Sequence, residues 1–137
     1  MGRILAIDYG TKRVGVAVTD TLQMIASPLE TIHTQGILQY VVQYCENEEV
    51  DVVVVGEPKT LSNEKAAVEQ HIKGFIRNLQ KQLPKLTIKR EDERFTSKMA
   101  FQSMIDSGMS KKKRSQKEIV DQVSATLILQ SYLERQK

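Results

Sequence analysis

Two short apolar runs near the start of the chain constrain the fold most. Residues 4–7 and 14–18 are rich in aliphatic and β-branched side chains, and a polar segment that contains Gly10 separates them. This pattern predicts a β-hairpin. An uninterrupted apolar run is typical of a strand that is buried on both faces, and Asp8 follows the first run directly. Because a buried carboxylate is costly unless it is paired or binds a metal, we expect either a pairing partner or a metal to meet Asp8.

The rest of the sequence predicts three more strands and four helices. These elements are a weaker strand over 23–33 that Pro28 interrupts, a helix capped by Thr34, a strand over 52–55, a helix over 63–83, a strand over 86–91, a helix from Thr96 or Ser97 to Gly108, and a helix from a capping box at Ser115 to Leu133. Antiparallel strands followed by strand–helix–strand connections are typical of a mixed sheet. The predicted fold is therefore α/β, a mixed five-stranded sheet with helices on both faces, in one domain over residues 1–137.

Composition indicates an ordinary globular protein. The chain has 137 residues, of which 40% are hydrophobic and 27% charged, which suits one domain with a core of its own. No apolar run approaches the ~20 residues that span a bilayer, and residues 4–7 are too few for a signal peptide. We therefore expect a cytoplasmic protein with no membrane partner. Cys45, the sole cysteine, follows a helical apolar pattern and is expected to pack in the core.

The net charge is only +3, but basic residues are concentrated in two clusters. The clusters are Lys12 with Arg13, and Lys111, Lys112, Lys113 and Arg114. Basic clusters on loops attract the phosphate backbone of nucleic acids. A solvated loop is the alternative, and for the four-residue cluster by itself it is the better interpretation. The aromatic content of 5%, with no tryptophan, offers no evident platform for base stacking, so the clusters do not distinguish RNA from DNA.

Three carboxylates occupy positions where acidic residues are uncommon. Asp8 and Glu93 each follow a predicted strand, and Asp121 lies in the second turn of the last helix, on its apolar face. Because sites form at the carboxyl ends of parallel strands, we expect the three to meet there. Clustered carboxylates repel one another unless a divalent metal lies among them, and oxygen ligands favour Mg²⁺ or Mn²⁺. Taken singly, each acid is better interpreted as a cap, a turn residue or a surface ion pair.

Four segments resemble the YqgF/RuvX family, in the family's order. They are residues 8–20 (DYGTKRVGVAVTD), 54–58 (VVGEP), 92–97 (DERFTS) and 121–133 (DQVSATLILQSYL). The resemblance implies an RNase H-like fold, shared with the RuvC Holliday junction resolvases, and a nuclease that uses Mg²⁺ or Mn²⁺. The family's acidic triad falls on Asp8, Glu93 and Asp121, which the residue patterns also select. Asp8 would then bridge two ions, and Glu93 and Asp121 would each complete one coordination shell.

The implied substrate is structured RNA. Family members are described as nucleases that mature the 5′ end of pre-16S rRNA, which points to a ribosomal particle as partner, and as Holliday junction resolvases, which makes branched DNA the alternative. In this hypothesis Lys12, Arg13 and the loop from Lys111 to Arg114 hold phosphates, and Arg94 positions the acids or a phosphate. A resolvase needs a symmetric dimer and rRNA trimming does not, so monomer and homodimer both stay open, as do endonucleolytic and exonucleolytic cleavage.

Two functions from other classes also fit parts of the sequence. One is a ribosome-binding or nucleic-acid-binding module without turnover. The other is an actin-like kinase or ATPase, whose phosphate-binding hairpin also begins Asp-x-Gly-Thr, but such proteins need a second domain for which 137 residues leave no room.

Glu57 departs from the family pattern, which usually has an apolar residue between the glycine and the proline of the Val-Gly-x-Pro motif. RuvC-type enzymes take a glutamate from this strand, so Glu57 is a candidate extra ligand, although a surface change is the preferred interpretation. Asp20 and Asp92 are secondary candidates that also suit turn or cap positions. His33 and His71 lie far apart in sequence and are not expected to bind a metal together.

Overall fold

A mixed five-stranded sheet forms the centre of the molecule. The computed structural model describes residues 2–58, 63–93, 96–114 and 116–136, with the backbone alone at 63–65, 96–98, 101, 113 and 114. The strand order is β3-β2-β1-β4-β5. The strands are β1 (Arg3–Tyr9), β2 (Arg13–Thr19), β3 (Ala26–His33), β4 (Val50–Glu57) and β5 (Thr87–Asp92).

The central strand β1 pairs antiparallel with β2 and parallel with β4. Ile7 lies opposite Val16 in β2 and opposite Val55 in β4, which fixes the register of all three strands. β3 continues the antiparallel side next to β2, and β5 continues the parallel side next to β4. The carboxyl ends of β1, β4 and β5 therefore lie at one edge of the sheet. The predicted mixed sheet that begins with a hairpin is confirmed.

Helices cover both faces of the sheet, as predicted. They are α1 (Ile37–Asn47), α2 (Asn63–Gln82), α3 (Thr96–Asp106), α4 (Lys111–Arg114) and α5 (Lys117–Arg135). On one face α1 and α2 bury an apolar core of alternate strand residues, among them Leu5, Ile7, Val53 and Val55. On the other face α5 covers the intervening strand residues, among them Ile4, Ala6 and Val54. None of the described helices is long and apolar enough to cross a membrane.

Several predicted boundaries are wrong for local reasons. Thr34 does not cap α1: it begins a 3₁₀ turn (Thr34–Gly36), and its Oγ1 donates to the carbonyl of Gly10 at 2.7 Å. The predicted third strand begins at Ala26 and not at residue 23, because residues 20–25 form a turn. The predicted basic loop contains the one-turn helix α4. α5 begins at Lys117, and Ser115 of the predicted capping box lies outside the described residues.

Candidate active site

Asp8 lies near the carboxyl end of β1, on the face of the sheet that α5 covers. Side chains alternate between faces along a strand, and the residues two and four positions before Asp8 belong to the core beneath α5. Its partner across the antiparallel ladder is Gly15 in β2. On the other side, the parallel register with β4 continues from Val55 to Gly56. Asp8 therefore has a glycine beside it in each neighbouring strand, on the same face.

Gly15 is the point at which α5 crosses β2. A β-carbon built on Gly15 would lie 2.0 Å from the carbonyl oxygen of Asp121 and 3.1 Å from the Asp121 β-carbon. Any larger residue at this position would push the helix backbone away from the sheet, because packed interiors leave no spare volume. The absent side chain of Gly15 thus lets α5 bring Asp121 close to Asp8.

Gly56 provides the matching space on the other side of Asp8. A β-carbon on Gly56 would lie 2.3 Å from Glu93 Oε2 and 2.8 Å from Ile128 Cδ1. Glu93 follows β5, and its N–H donates to the carbonyl of Glu57 at 3.2 Å, which extends the pairing of β4 and β5 by one residue. The Oε2 atom of Glu93 is shielded from solvent. The Glu93 carboxylate therefore occupies the volume that a side chain at position 56 would take.

The structure thus brings together the elements that carry Asp8, Glu93 and Asp121. Among the residues that the structure describes, however, no three histidine, cysteine or acidic side chains have the spacing of a metal site. Asp121 is instead held by Arg13, whose Nε donates to Asp121 Oδ2 at 2.8 Å, and both side chains are partly buried. An ion pair of this kind is the alternative that the sequence left open for each acid taken singly.

The other predicted basic residues that the structure describes lie at the same end of the molecule as Asp121. Lys12 is exposed in the turn between β1 and β2, next to Arg13. Lys111 and Lys112 are exposed on α4, which precedes the end of α5 that carries Asp121. The side chains of Lys113 and Arg114, and the whole of Arg94, lie outside the described part of the chain.

Glu57 and Asp92 lie at the same edge of the sheet as Asp8, but on its opposite face. Glu57 alternates with the β4 residues that pack beneath α1 and α2, and its Oε2 is 3.9 Å from Arg90 Nη1. Asp92 is paired with Glu57 in the ladder and is exposed. The register therefore separates both acids from the face on which Asp8 lies.

Asp20 lies at the opposite end of β2 from the candidate site. Its Oδ1 accepts the N–H groups of Met24 at 2.9 Å and Ile25 at 2.8 Å, and its Oδ2 accepts the Leu22 N–H at 3.2 Å. The hydrogen bonds from Ile25 and Met24 lower the pKa of the Asp20 carboxyl below its ordinary value. Asp20 is thus a turn residue, which was the alternative that the sequence left open.

Two ion pairs that link the sheet to its helices were not singled out from the sequence, and Arg90 forms the first of them. Arg90 donates to both carboxylate oxygens of Glu69, at 3.0 and 2.8 Å, and to the carbonyl of Gly56 at 2.9 Å. Arg90 therefore ties α2 to the part of β4 on which Glu93 lies. Arg90 lies in a charged stretch that resembles solvated surface, and Glu69 is an isolated acid on an amphipathic helix, so no sequence signal marks the pair.

Glu91 forms the second ion pair, and it lies on the face of the sheet beneath α5. Its side chain is only 4% exposed, and its carboxylate accepts hydrogen bonds from Ser131, at 2.6 Å, and from Arg135. Because its partners come from the far end of α5, Glu91 is a structural anchor of that helix. It is distinct from the acids around Asp8.

Comparison with known proteins places this architecture in a family. Residues 2–135 match the family model of RuvX, described as a Holliday junction resolvase. A protein of Christiangramia forsetii is 53% identical over 133 residues, which cover 97% of this chain and 98% of the relative. A protein of Phocaeicola vulgatus is 49% identical over 137 residues, which cover 100% and 99%. Both relatives bear the name "Putative pre-16S rRNA nuclease".

Solved structures show the same fold at low sequence identity. The RuvC protein of Thermus thermophilus, in complex with a Holliday junction substrate, aligns with a TM-score of 0.62 and 17% identity, over 98% of this chain and 96% of that one. The Holliday junction resolvase of fowlpox virus aligns with a TM-score of 0.54 and 17% identity, over 97% and 99%. The predicted RNase H-like fold is confirmed by the likeness to RuvC. Because the family model matches nearly the whole chain and relatives share about half of its residues, this chain belongs to the RuvX family.

Proposed function

We propose that this chain is a nuclease that cleaves phosphodiester bonds in structured RNA, with pre-16S rRNA as its substrate and Mg²⁺ or Mn²⁺ as its cofactor. The observation that carries the proposal is that Asp8 lies between Gly15 and Gly56 across three strands. The backbone of Asp121 fills the space at Gly15, and the carboxylate of Glu93 fills the space at Gly56. The glycines allow α5 to pack closely on the sheet, but packing alone does not require acidic residues there, since apolar side chains would fill the same volume without the cost of clustered carboxylates.

The donor set fits a hard divalent cation. Asp8, Glu93 and Asp121 offer only oxygen ligands, which favour Mg²⁺ or Mn²⁺ over zinc. These three residues would hold the metal, with Asp121 exchanging its bond to Arg13 for the ion. Metal bound in such a site activates a water molecule and stabilises the leaving oxygen of the phosphodiester.

The chain's own residues supply substrate binding and alignment. Lys12, Lys111 and Lys112 are exposed at the end of the molecule where Asp121 lies, so they can bind the phosphates on either side of the scissile bond. Asp8 is fixed by its strand, and Glu93 is fixed by its backbone bond to Glu57. The guanidinium of Arg13, once released from Asp121, is placed to bind a phosphate oxygen.

The relatives favour RNA over branched DNA as the substrate. Proteins that are 53% and 49% identical to this chain are named for pre-16S rRNA, whereas the RuvC structure that holds a Holliday junction is only 17% identical. The family description nevertheless keeps junction cleavage as the second candidate. Trimming an RNA end needs no two-fold symmetry, so the proposed activity is compatible with a monomer.

The test compares cleavage by three forms of the protein. Wild type, Asp8→Asn and Glu57→Gln are each incubated with an RNA that contains the 5′ leader of pre-16S rRNA and with a four-way DNA junction, in Mg²⁺, Mn²⁺ or EDTA. Because loss of a residue that merely supports a metal ligand costs about 10–100-fold, Asp8→Asn should cut RNA at least about 100-fold more slowly. Glu57→Gln, an acid at the same edge but on the other face, should cut like the wild type.

Each other result has a defined meaning. Equal cleavage by wild type and Asp8→Asn, or cleavage in EDTA, would show that Asp8, Glu93 and Asp121 do not form a metal-dependent active site. Cleavage of the junction but not of RNA would replace the proposed substrate by DNA. RNA binding with no cleavage of either substrate would identify a binding module without turnover. Thermal unfolding of all three forms checks that the substitutions leave the fold intact.

A further inference from the structure

The turn between β2 and β3 (residues 20–25) exposes three large apolar side chains at the end of the sheet opposite Asp8. Leu22, Met24 and Ile25 are 63%, 71% and 67% exposed to solvent. Single exposed apolar residues are common, but a group of them on one short segment marks a contact surface. This group lies outside the site proposed above and needs an explanation of its own.

The turn is held rigidly, so the exposure is not that of a loose loop. The Asp20 carboxylate accepts the N–H groups of all three apolar residues, which fixes the backbone on which they stand. Gln23 adopts φ 57°, a left-handed conformation that side chains other than glycine rarely take. Its Nε2 donates to the carbonyl of Gly2 at 2.7 Å and to Asp51 Oδ2 at 2.9 Å, which anchors the turn to the start of β1 and to β4.

A groove of about 720 Å³ separates this turn from the C-terminal end of α5. Its apolar lining includes Ile4, Val52 and Leu133, with Met24 and Ile25 along one side. The charged side chains among its described lining residues are both acidic, Asp51 and Glu134. The end of α5 adds the partial negative charge of a helix C-terminus. The groove thus combines an apolar floor with a negative rim, although the whole chain carries a net charge of +3.

We propose that this groove binds a basic, amphipathic segment of a partner protein. Aliphatic side chains of the segment would pack against Met24 and Ile25, and its lysine or arginine side chains would lie beside Asp51 and Glu134. The groove is independent of the nuclease chemistry, because Ile4 in its floor lies four residues before Asp8 on β1, roughly 13 Å away at the rise of a strand.

The charge pattern and the edge strand β3 argue against other occupants. A second copy related by a two-fold axis would set acidic rim against acidic rim, which is repulsive. Nucleic acid is excluded for the same reason, since its phosphates would face Asp51 and Glu134. Addition of a partner strand to β3 is disfavoured because Pro28 lacks a donor on this edge strand and the register with β2 shifts between Val16 and Ala17.

The test uses the full chain, labelled with ¹⁵N, and a pair of synthetic peptides. The first peptide has about 12 residues, with leucine and lysine at the spacing of an amphipathic helix, and the second replaces each lysine by glutamate. We expect the lysine peptide to shift the amide signals of the turn, Val52 and Leu133, and the glutamate peptide to shift none of them. The double variant Met24→Ser, Ile25→Ser should weaken binding at least about tenfold.

Two further variants distinguish specific binding in the groove from non-specific hydrophobic binding. Met99→Ser removes another exposed apolar side chain, 54% exposed on α3, and should bind the lysine peptide like the wild type. Glu134→Lys should weaken binding of the lysine peptide and strengthen that of the glutamate peptide. Thermal unfolding of each variant verifies its fold.

The proposal is overturned by any of four results. These are no shifts up to about 1 mM lysine peptide, shifts that map elsewhere, equal binding of both peptides, and binding that survives Met24→Ser, Ile25→Ser. Self-association of the wild type in sedimentation that the double variant abolishes would also overturn it, because a second copy would then be the occupant. None of these outcomes depends on whether the chain cleaves RNA.

Discussion

The Nε atom of Arg13 lies 2.8 Å from the Oδ2 atom of Asp121, and the two residues are 108 positions apart in the sequence. The bond joins the start of β2 to the second turn of α5, next to Asp8 and the two glycines beside it. Both side chains are partly buried, so salt screens the pair less than it screens an exposed one. In the proposed function, a divalent cation at Asp121 would compete with the guanidinium of Arg13 for the same carboxylate.

Removing Arg13 should therefore strengthen metal binding. We expect Arg13→Gln to bind Mn²⁺ roughly fivefold more tightly in the absence of nucleic acid, since an ion pair of this kind is worth about 1 kcal/mol. Calorimetric titration of the full chain with Mn²⁺ measures this directly. Lys12→Gln, which removes the same charge from the neighbouring exposed residue, should leave the affinity unchanged. Weaker binding by Arg13→Gln would instead show that the guanidinium positions Asp121 for the metal.

A methyl group at Gly15 should destabilise the fold. The added carbon of Gly15→Ala would meet the backbone of α5 at Asp121, which cannot move without shifting the helix. Overpacking of this kind costs about 1–3 kcal/mol, measured as the free energy of unfolding in urea. Gly74→Ala is the matched control, because nothing lies within 4 Å of its new carbon in the interior of α2. It should be stabilising by about 0.5–1 kcal/mol.

Gly56→Ala should impair cleavage more than stability. Its added carbon would meet Glu93 Oε2 and Ile128 Cδ1, which are the ends of side chains that can rotate away. We expect a loss of about 1 kcal/mol in the free energy of unfolding, and a fall in RNA cleavage of about 10-fold or more because Glu93 is displaced from Asp8. Undiminished cleavage would contradict the assignment of Glu93 to the site.

The sequence predicts the elements of this fold well, because each depends on a local pattern. Alternating or continuous apolar residues mark the strands, helical spacing marks α2 and α5, and a carboxylate directly after a buried run marks Asp8. The pairing of Arg13 with Asp121 was not predictable, because it depends on where α5 crosses the sheet. The same holds for Glu91, whose partners Ser131 and Arg135 lie at least 40 residues away along the chain.

The thiol of Cys45 should react slowly. Cys45 packs against the core beneath α1, and burial raises the pKa of its thiol above the ordinary value. Because the thiolate is the nucleophile, a raised pKa leaves less reactive form at any pH near neutrality. Alkylation should therefore be slower than that of free N-acetylcysteine and should rise at higher pH, and urea should remove the difference. The prediction would be contradicted if the alkylation rate of Cys45 rose with pH at a midpoint equal to or below that of N-acetylcysteine.

The turn that carries the exposed apolar residues should respond to acid through Asp20. Backbone N–H groups of Ile25 and Met24 stabilise the charged carboxylate and lower its pKa, so the folded turn is favoured above the pKa of unfolded aspartate. That contribution is lost as the pH falls through the lowered pKa of the folded state. The amide proton shifts of Met24 and Ile25 should titrate with a midpoint below that of an unstructured aspartate, and Asp20→Asn should abolish the transition.

The glycines on either side of Asp8 tie the proposed active site to the strand register itself. Side chains alternate along a strand, so a slip of one residue between β1 and β2 would turn Gly15 to the wrong face and set a bulky valine against α5. The same slip would separate Asp8 from Asp121. A misregistered chain could therefore neither close its core nor bring together the three acids of the proposed site, so folding and assembly of that site depend on the same register.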